Sequence, residues 1–384
     1  MSRMEADIKL PLRILHFIAG SGHGGDAFVA LALARQQVAD GHDVMVAIGK
    51  GLYSSIAAER ASSWGVPLME VEGLGELDST KRRIGALCRT LRSRKPQVMH
   101  YHAATLLVRT VDALVTALSG VPARVVTIHC PVGWEVYPTD RNRQAWRKAS
   151  RHFQKVVTVS HWAQQFQRQA QLDSAKLDVI HNAIPIGTYG NQNREHVRHS
   201  LGLPDDAIVA LFAARLEKTK DPLTAIDAFE RIARKNASAH LVIAGTGAEA
   251  DACRAIVQKN NLGTQVHLIG FRQDMPDLLK ASDIFVLPTT QENFSLAILE
   301  AMASGLAIVT TPVGGNLEAL TSGESAIIVN VGDVAGFAAA MDSLFNSPDM
   351  RRALGQRAKD ESTKFAPDII SHAYLAIYRQ VLGT

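Results

Sequence analysis

The chain has 384 residues, of which 47% are hydrophobic and 20% charged, and its formal net charge is +4. This composition excludes disordered, collagen-like and disulfide-scaffold proteins, and the length suits two domains with separate cores. So small a charge does not indicate nucleic-acid binding. The three cysteines form no CxxC pair, and no apolar run is long enough to span a membrane. We therefore expect a protein of the reducing cytoplasm.

Short apolar runs alternate with longer stretches of helical periodicity. A first series of predicted strands covers 12–19, 44–48, 97–101, 124–129, 155–159 and 178–181. A second series covers 208–213, 240–244, 266–269, 284–287, 307–310 and 326–329. Near-continuous apolar runs are typical of strands buried on both faces of a parallel sheet, so the alternation predicts a doubly wound α/β architecture.

The alternation occurs twice, separated by a polar stretch between Pro185 and Asp206. It predicts two Rossmann-like domains, residues 1–185 and 186–366, and an amphipathic C-terminal helix, 367–384, that packs across both. Two facing domains of this kind would direct the carboxyl ends of both sheets, where ligands bind, toward one cleft.

The segment 291–300, QENFSLAILE, follows a predicted strand and contains two carboxylates. Ser295 is a suitable N-cap for a short helix, whose free N–H groups would bind an anion. Glu292 precedes that helix and Glu300 lies within it. A carboxylate that accepts two hydrogen bonds suits a vicinal diol such as a ribose.

Cations and glycines follow the two preceding strands of this half. Arg215 and Lys220 bracket the loop after 208–213, and two cations near a helix N-terminus suit a diphosphate without a metal. Gly245 and Gly247 follow 240–244 and permit close approach of the backbone to a ligand.

Together these residues resemble the retaining GT-B glycosyltransferases of family 4. The family motifs E-x7-E, R-L-x-x-x-K and A-G-x-G are matched in order and spacing by Glu292 and Glu300, by Arg215, Leu216 and Lys220, and by Ala244, Gly245 and Gly247. The stretches 270–279 and 312–318 also resemble family segments. The resemblance spans about 100 residues of the second half.

The resemblance implies a role for each of these residues. Arg215 and Lys220 would hold the diphosphate as the leaving group, and Glu300 the ribose. The nucleobase would lie against the backbone near Phe271 and Arg272. The donor sugar and phosphates would meet Glu292 and the backbone of Asn293, Phe294, Ser295 and Leu296. The donor would be a UDP- or GDP-sugar, a co-substrate, and the cationic pair would replace a metal, so no cofactor is expected.

Glycines 20, 22 and 25 have the G-x-G-x-x-G spacing of dinucleotide sites. The next strand, however, is followed by Gly49-Lys50-Gly51 and not by the acid that such a site needs, so an NAD-dependent oxidoreductase is the less favoured alternative. The family resemblance implies a glycine loop beside the acceptor, with Gly24 and Gly25 touching the donor phosphate.

Histidines lie at or beside the ends of several predicted strands: His23, His100, His102, His129 and His161. Their spacing is not that of a zinc site and no acidic partners accompany them, so no metal is predicted. The resemblance implies that His129 lies near the donor sugar and takes part in catalysis, with His23 and His102 also on the acceptor side. Asn182 resembles a family position at the domain crossover, and we interpret it as structural.

Two acid-free runs, 81–95 and 141–155, contain seven and six basic residues. One interpretation is a solvated helix face. The other is a surface for anionic lipid head groups, with Trp146 and Phe153 inserting shallowly. Since related enzymes often act on lipid-linked acceptors, we favour weak peripheral contact with the inner membrane.

The sequence therefore predicts a retaining, metal-independent sugar transferase. Its acceptor would be a lipid-linked, lipopolysaccharide or exopolysaccharide glycan of the bacterial envelope. Catalysis would rest on Arg215, Lys220, Glu292 and His129, without a covalent nucleophile. An epimerase or hydrolase acting on the nucleotide-sugar remains an alternative, and it would be distinguished by product formation without an added acceptor.

Overall fold

The computed structural model describes residues 10–18, 24–51, 54–74, 78–103, 110–129, 140–188 and 194–384, with the backbone alone for 140–142. The chain divides into two compact units. The first combines Met1–Ala183 with Pro367–Thr384, and the second is Ile184–Ala366. His23 and Cys130 lie outside the described residues.

The first unit is built on a parallel sheet of seven described strands in the order β3-β2-β1-β4-β5-β6-β7. The strands are β1 Arg13–Ile18, β2 Asp43–Gly49, β3 Leu68–Val71, β4 Val98–Ala103, β5 Ala123–Ile128, β6 Lys155–Thr158 and β7 Leu177–Val179. Its helices are α1 Gly25–Ala39, α2 Ser54–Ser63, α3 Thr80–Arg94, α4 Thr110–Leu118, α5 Asp140–Ser150 and α6 His161–Gln169.

The second unit has a parallel sheet of six strands in the order β10-β9-β8-β11-β12-β13. The strands are β8 Ile208–Ala213, β9 Ala239–Ala244, β10 Val266–Gly270, β11 Ile284–Leu287, β12 Ala307–Thr310 and β13 Ala326–Ile328. Its helices are α7 Arg194–Ser200, α8 Pro222–Ala233, α9 Ala250–Lys259, α10 Met275–Ala281, α11 Leu296–Ser304, α12 Asn316–Ala319, α13 Val334–Asn346 and α14 Pro348–Ser362.

The last helix, α15 Pro367–Leu382, is part of the first unit. Its Tyr374 hydroxyl lies 2.9 Å from Thr127 Oγ1, and its Tyr378 hydroxyl lies 2.6 Å from His100 Nδ1. Both tyrosines are buried, so the helix supplies apolar surface to the sheet together with hydrogen bonds to two polar side chains in it.

The predicted doubly wound α/β class is confirmed, and every predicted strand has a counterpart. Sequence reasoning missed β3, a four-residue strand at the sheet edge whose first three residues are not fully buried. Such a strand lacks the continuous apolar run that marks the others. Among the described residues, no helix combines the length and apolar character needed to cross a membrane.

Candidate functional site

Lys220 and Glu292 lie at the point where the strand order of the second sheet reverses. β8 pairs with β9 on one side and with β11 on the other, and these residues belong to the loops after β8 and β11. Crevices at the carboxyl ends of strands beside such a switch point are where open α/β sheets bind ligands.

The loop that bears Lys220 is fixed to its neighbour. The carbonyl of Thr219 accepts hydrogen bonds of 2.8 Å from both the Thr289 hydroxyl and the Thr290 N–H. Asp221, in the left-handed conformation, caps α8 by accepting from the Thr224 N–H, and Pro222 opens the helix. Lys220 is therefore held between a cross-loop bond and a helix start.

The Lys220 ammonium contacts the Glu292 carboxylate, with 2.5 Å between Nζ and Oε1. The two side chains are 17% and 12% exposed. Arg215 pairs with Glu217 at the same distance, but its side chain is 70% exposed. The loop after β8 thus bears one shielded cation and one exposed cation, each paired with a carboxylate.

The glycine loop after β9 packs directly on the loop of Arg215. A Cβ at Gly245 would lie 1.9 Å from the Ala214 carbonyl oxygen, and one at Gly247 would lie 2.3 Å from that of Leu216. Leu216 also donates a backbone hydrogen bond to Thr246. Only glycine fits at these two positions. Close packing of the two loops therefore explains the glycine motif without any ligand.

The segment 291–300 contains the helix start that the sequence predicts. Ser295 caps α11 by accepting from the Ile298 N–H, and Gly305 ends the helix with φ +76. Phe294 is buried and packs edge-on against Phe365, so only its backbone remains for a ligand. Glu300 is partly buried in the second turn, while Leu296 opens the helix.

Two further loops border this region. Gly314 approaches Glu292 so closely that a Cβ would lie 1.9 Å from its carbonyl oxygen, and the Gly315 N–H donates to Asn293. After β10, Phe271 is 62% exposed, a large apolar surface beside the glycine loop. Arg272 donates to Asp274 and lowers the pKa of that carboxyl.

In the first unit, His129 directly follows β5 and lies at the end of a row of histidines. Its Nε2 is 3.0 Å from His102 Nδ1, and Asn182 makes a side-chain hydrogen bond to it. His102 Nε2 is 2.9 Å from His16 Nδ1, and His16 Nε2 is 2.8 Å from Gln37 Oε1. Burial lowers the pKa of His129 to about 3 and that of His16 to about 4.

His16, His100 and His102 are the described group whose ligand atoms lie close enough for a metal, within 4.8 Å of one another. His16 and His102 share one of the hydrogen bonds above, and His100 bonds to Thr127 and Tyr378. A metal bound to these three side chains would have to break these hydrogen bonds.

The glycine loop of the first unit is described only from Gly24 onward. Gly24 precedes α1 and Gly25 begins it. A Cβ at Gly24 would lie 2.6 Å from a carboxylate oxygen of the buried Asp26. Asp43 opens β2, the opposite end from the one where a dinucleotide site needs its acid.

The predicted insertion of Trp146 and Phe153 into a membrane is wrong, because both rings are buried. Trp146 donates to Gln167, and Phe153 packs edge-on against Tyr101. Arg83 is also buried, in a bidentate pair with Asp112. The exposed cations of the first run are Lys81, Arg82, Arg89, Arg92, Arg94 and Lys95.

Sequence reasoning missed Gln37 and His16 and treated Asn182 as structural. The available signal was His16 itself, a polar residue within the buried apolar part of strand β1. A buried polar side chain needs hydrogen-bonding partners, and His16 finds them in His102 on the neighbouring strand β4 and in Gln37 on α1.

Two family models match the chain. The one described as Glycosyltransferase Family 4 matches residues 23–187, and the one described as Glycosyl transferases group 1 matches residues 193–361. The chain belongs to the group 1, family 4 glycosyltransferases. The resemblance stated from the motifs is thereby confirmed, and the four charged residues that carried it lie within the group 1 match: Arg215, Lys220, Glu292 and Glu300.

Individual members of the family are only distantly similar to this chain. N-acetyl-alpha-D-glucosaminyl L-malate synthase of Bacillus anthracis is 25% identical over 228 residues, which cover 59% of this chain and 60% of that protein. D-inositol 3-phosphate glycosyltransferase of Mycobacterium leprae is 28% identical over 237 residues, 59% of this chain and 54% of that protein. The matches therefore span between half and two thirds of these curated relatives.

The structure of Anabaena Alr3699/HepE in complex with UDP-glucose is similar to this glycosyltransferase-family chain over almost its whole length. The TM-score is 0.81 at 19% sequence identity, covering 96% of this chain and 99% of that one. This likeness confirms the predicted GT-B fold.

Proposed function

We propose that this chain is a retaining, metal-independent glycosyltransferase that moves a sugar from a nucleotide-diphosphate sugar to an acceptor hydroxyl. The observation that carries the proposal is the Lys220–Glu292 pair at the switch point of the second sheet, beside the first turn of α11. A sugar diphosphate presents anionic oxygens next to hydroxyls, and a cation, a carboxylate and helix-end amides match that pattern. The UDP-glucose bound to the Anabaena protein supports a donor of this class.

The chemistry requires the bond between sugar C1 and the diphosphate oxygen to break, its electron pair leaving on the phosphate. Arg215 and Lys220 would neutralise this charge as it develops. The acceptor oxygen would bond to C1 on the same face, and its proton would pass to the departing phosphate oxygen. This path preserves the anomeric configuration and needs no covalent nucleophile and no metal.

The remaining parts of the donor have matching partners in the second unit. Glu300 would accept from the ribose diol. The exposed ring of Phe271 and the backbone at Arg272 would border the base of a UDP- or GDP-sugar. Gly245 and Gly247 let the loop after β9 pack closely on the loop that bears Arg215, and we propose that this loop borders the donor.

For the acceptor we propose a lipid-linked, lipopolysaccharide or exopolysaccharide glycan at the inner membrane. The exposed cations of α3 support weak attraction to anionic lipid without any inserted aromatic ring. In a co-sedimentation assay at low salt, we expect the protein to pellet with phosphatidylglycerol vesicles but not with phosphatidylcholine vesicles. Equal sedimentation with the two kinds of vesicle would contradict the proposed membrane contact but not the proposed sugar transfer.

The function is tested with a thermal-shift panel of UDP-, GDP-, ADP- and TDP-sugars in EDTA, followed by a transfer assay with the donor that binds. We expect Lys220→Ala and Glu300→Ala to weaken binding, and the new glycosidic bond to keep the donor's anomeric configuration. Donor consumption that needs no acceptor would favour the hydrolase or epimerase. If neither variant weakens nucleotide binding, the proposed pocket is wrong.

A further inference from the structure

An unbroken row of hydrogen bonds links helix α1 to the end of strand β5. It runs from Gln37 Oε1 to His16, from His16 to His102 and from His102 to His129, at 2.8, 2.9 and 3.0 Å. Gln37, His16 and His102 are fully buried. We refer to these four residues as the histidine relay.

The amide oxygen at the inner end of the relay determines where each hydrogen lies. Oε1 of Gln37 only accepts, so His16 donates from Nε2. A neutral imidazole has one N–H, so His16 Nδ1 accepts and His102 Nε2 donates. By the same step His102 Nδ1 accepts, and His129 donates from Nε2.

The surroundings keep the relay uncharged. Burial lowers the pKa of His16, His102 and His129. The titratable groups that face the relay from β4 and α15 are His100, Tyr374 and Tyr378. Burial lowers the pKa of His100 and raises that of both tyrosines, so they too are neutral near pH 7.

We propose that Gln37, His16 and His102 are positioning residues that hold His129 as a neutral imidazole with its hydrogen on Nε2. His129 then contributes to sugar transfer as a fixed, uncharged ring whose orientation the relay determines, not as a general acid or base. His102 already takes the Nε2 hydrogen, and Asn182 makes a second side-chain hydrogen bond to the ring. The catalytic part rests on the proposed function, whereas the tautomer assignment does not.

The tautomers are measured directly by long-range ¹H–¹⁵N NMR of the ¹⁵N-histidine-labelled full chain without ligand. We expect His16, His102 and His129 to be neutral Nε2–H tautomers from pH 6 to pH 8. A reversed relay, in which the Gln37 amide donates, would place each hydrogen on Nδ1. That result, or a charged His129, would overturn the proposal whatever the enzyme activity.

Gln37→Glu gives the sharpest test, because a carboxylate favours protonation of His16. Charged His16 would donate from both nitrogens, so His102 would accept at Nε2 and donate from Nδ1. His129 would then accept at Nε2 and carry its hydrogen on Nδ1. We expect this variant to show the wild-type tautomer of His129 at high pH and the other one at low pH. Unchanged tautomers across a titration that charges His16 would contradict the relay.

Gln37→Leu removes the acceptor, so His129 should populate both tautomers. We expect kcat to fall about tenfold while KM for the nucleotide-sugar stays within twofold, because the donor site lies in the other unit. The matched control is Gln167→Leu, since Gln167 is equally buried in the same unit but bonds to Trp146. Equal changes of the His129 spectrum in both variants would indicate general loosening and overturn the relay.

Discussion

The Nζ of Lys220 lies 2.5 Å from Oε1 of Glu292, although 72 residues separate them in the chain. Both side chains are largely shielded from water, so each compensates the charge of the other. A diphosphate would offer Lys220 a second and more highly charged partner. We therefore expect a bound diphosphate to compete with Glu292 for the ammonium.

Lys220→Ala should weaken UDP or GDP binding at least tenfold, because a hydrogen bond to a charged group contributes about 1.5–3 kcal/mol. The measurement is calorimetric titration at constant ionic strength. The matched control is Lys218→Ala, which removes the same charge from an exposed position two residues away. We expect that control to bind within twofold of wild type. Equal losses would mean that net charge, and not this contact, determines affinity.

Gly314→Ala should destabilise the second unit and weaken donor binding, since its Cβ would collide with the carbonyl of Glu292. Gly332 is the matched control, because it also has a positive φ but has no atom within 4 Å of its Cβ position. Gly332→Ala should lower the free energy of unfolding by about 1–2 kcal/mol, from backbone strain alone. Gly314→Ala should lower it by about 1–3 kcal/mol more. Urea denaturation measures both. Equal losses of stability in the two variants would show that the loop of Gly314 moves away from Glu292 without a measurable cost.

The strands and the placement of Lys220 and Glu292 in one region were predictable because their signals are local. Most buried strands are near-continuous apolar runs, and Lys220 and Glu292 both follow such runs. In a parallel sheet the carboxyl ends of neighbouring strands meet, so both residues could be assigned to one region before their contact was known.

The histidine relay and the buried aromatic rings were not predictable in this way. The bond between His16 and Gln37 depends on the rotation of α1 over the sheet, which local sequence does not determine. Trp146 lies in a basic run, and only the packing of α5 decides that its ring points inward. Composition identifies a charged segment but not which of its residues face the core.

Arg83→Ala should lower the free energy of unfolding of the first unit by about 3–5 kcal/mol, because Asp112 would remain buried without its partner. Arg82→Ala is the matched control on the same helix. Its side chain is 78% exposed and lies 4.0 Å from Asp78, so its loss should cost less than about 1 kcal/mol. Tryptophan fluorescence reports this unit selectively, because all four tryptophans of the chain belong to it. Similar losses in both variants would mean that the Arg83–Asp112 pair contributes little.

The buried histidines should make the first unit sensitive to mild acid. The pKa of His16 is about 4 in the folded protein and 6.5 without burial, so between these values the unfolded chain binds more protons. The free energy of unfolding should therefore be constant above about pH 7 and fall below pH 6.5, by about 1.4 kcal/mol per pH unit for each such histidine. Urea titrations at pH 7.5, 6 and 5, followed by tryptophan fluorescence, measure this slope. His372→Gln, which removes an exposed histidine, should leave the slope unchanged. Equal stability at pH 7.5 and pH 5 would show that the buried histidines titrate normally in the folded chain.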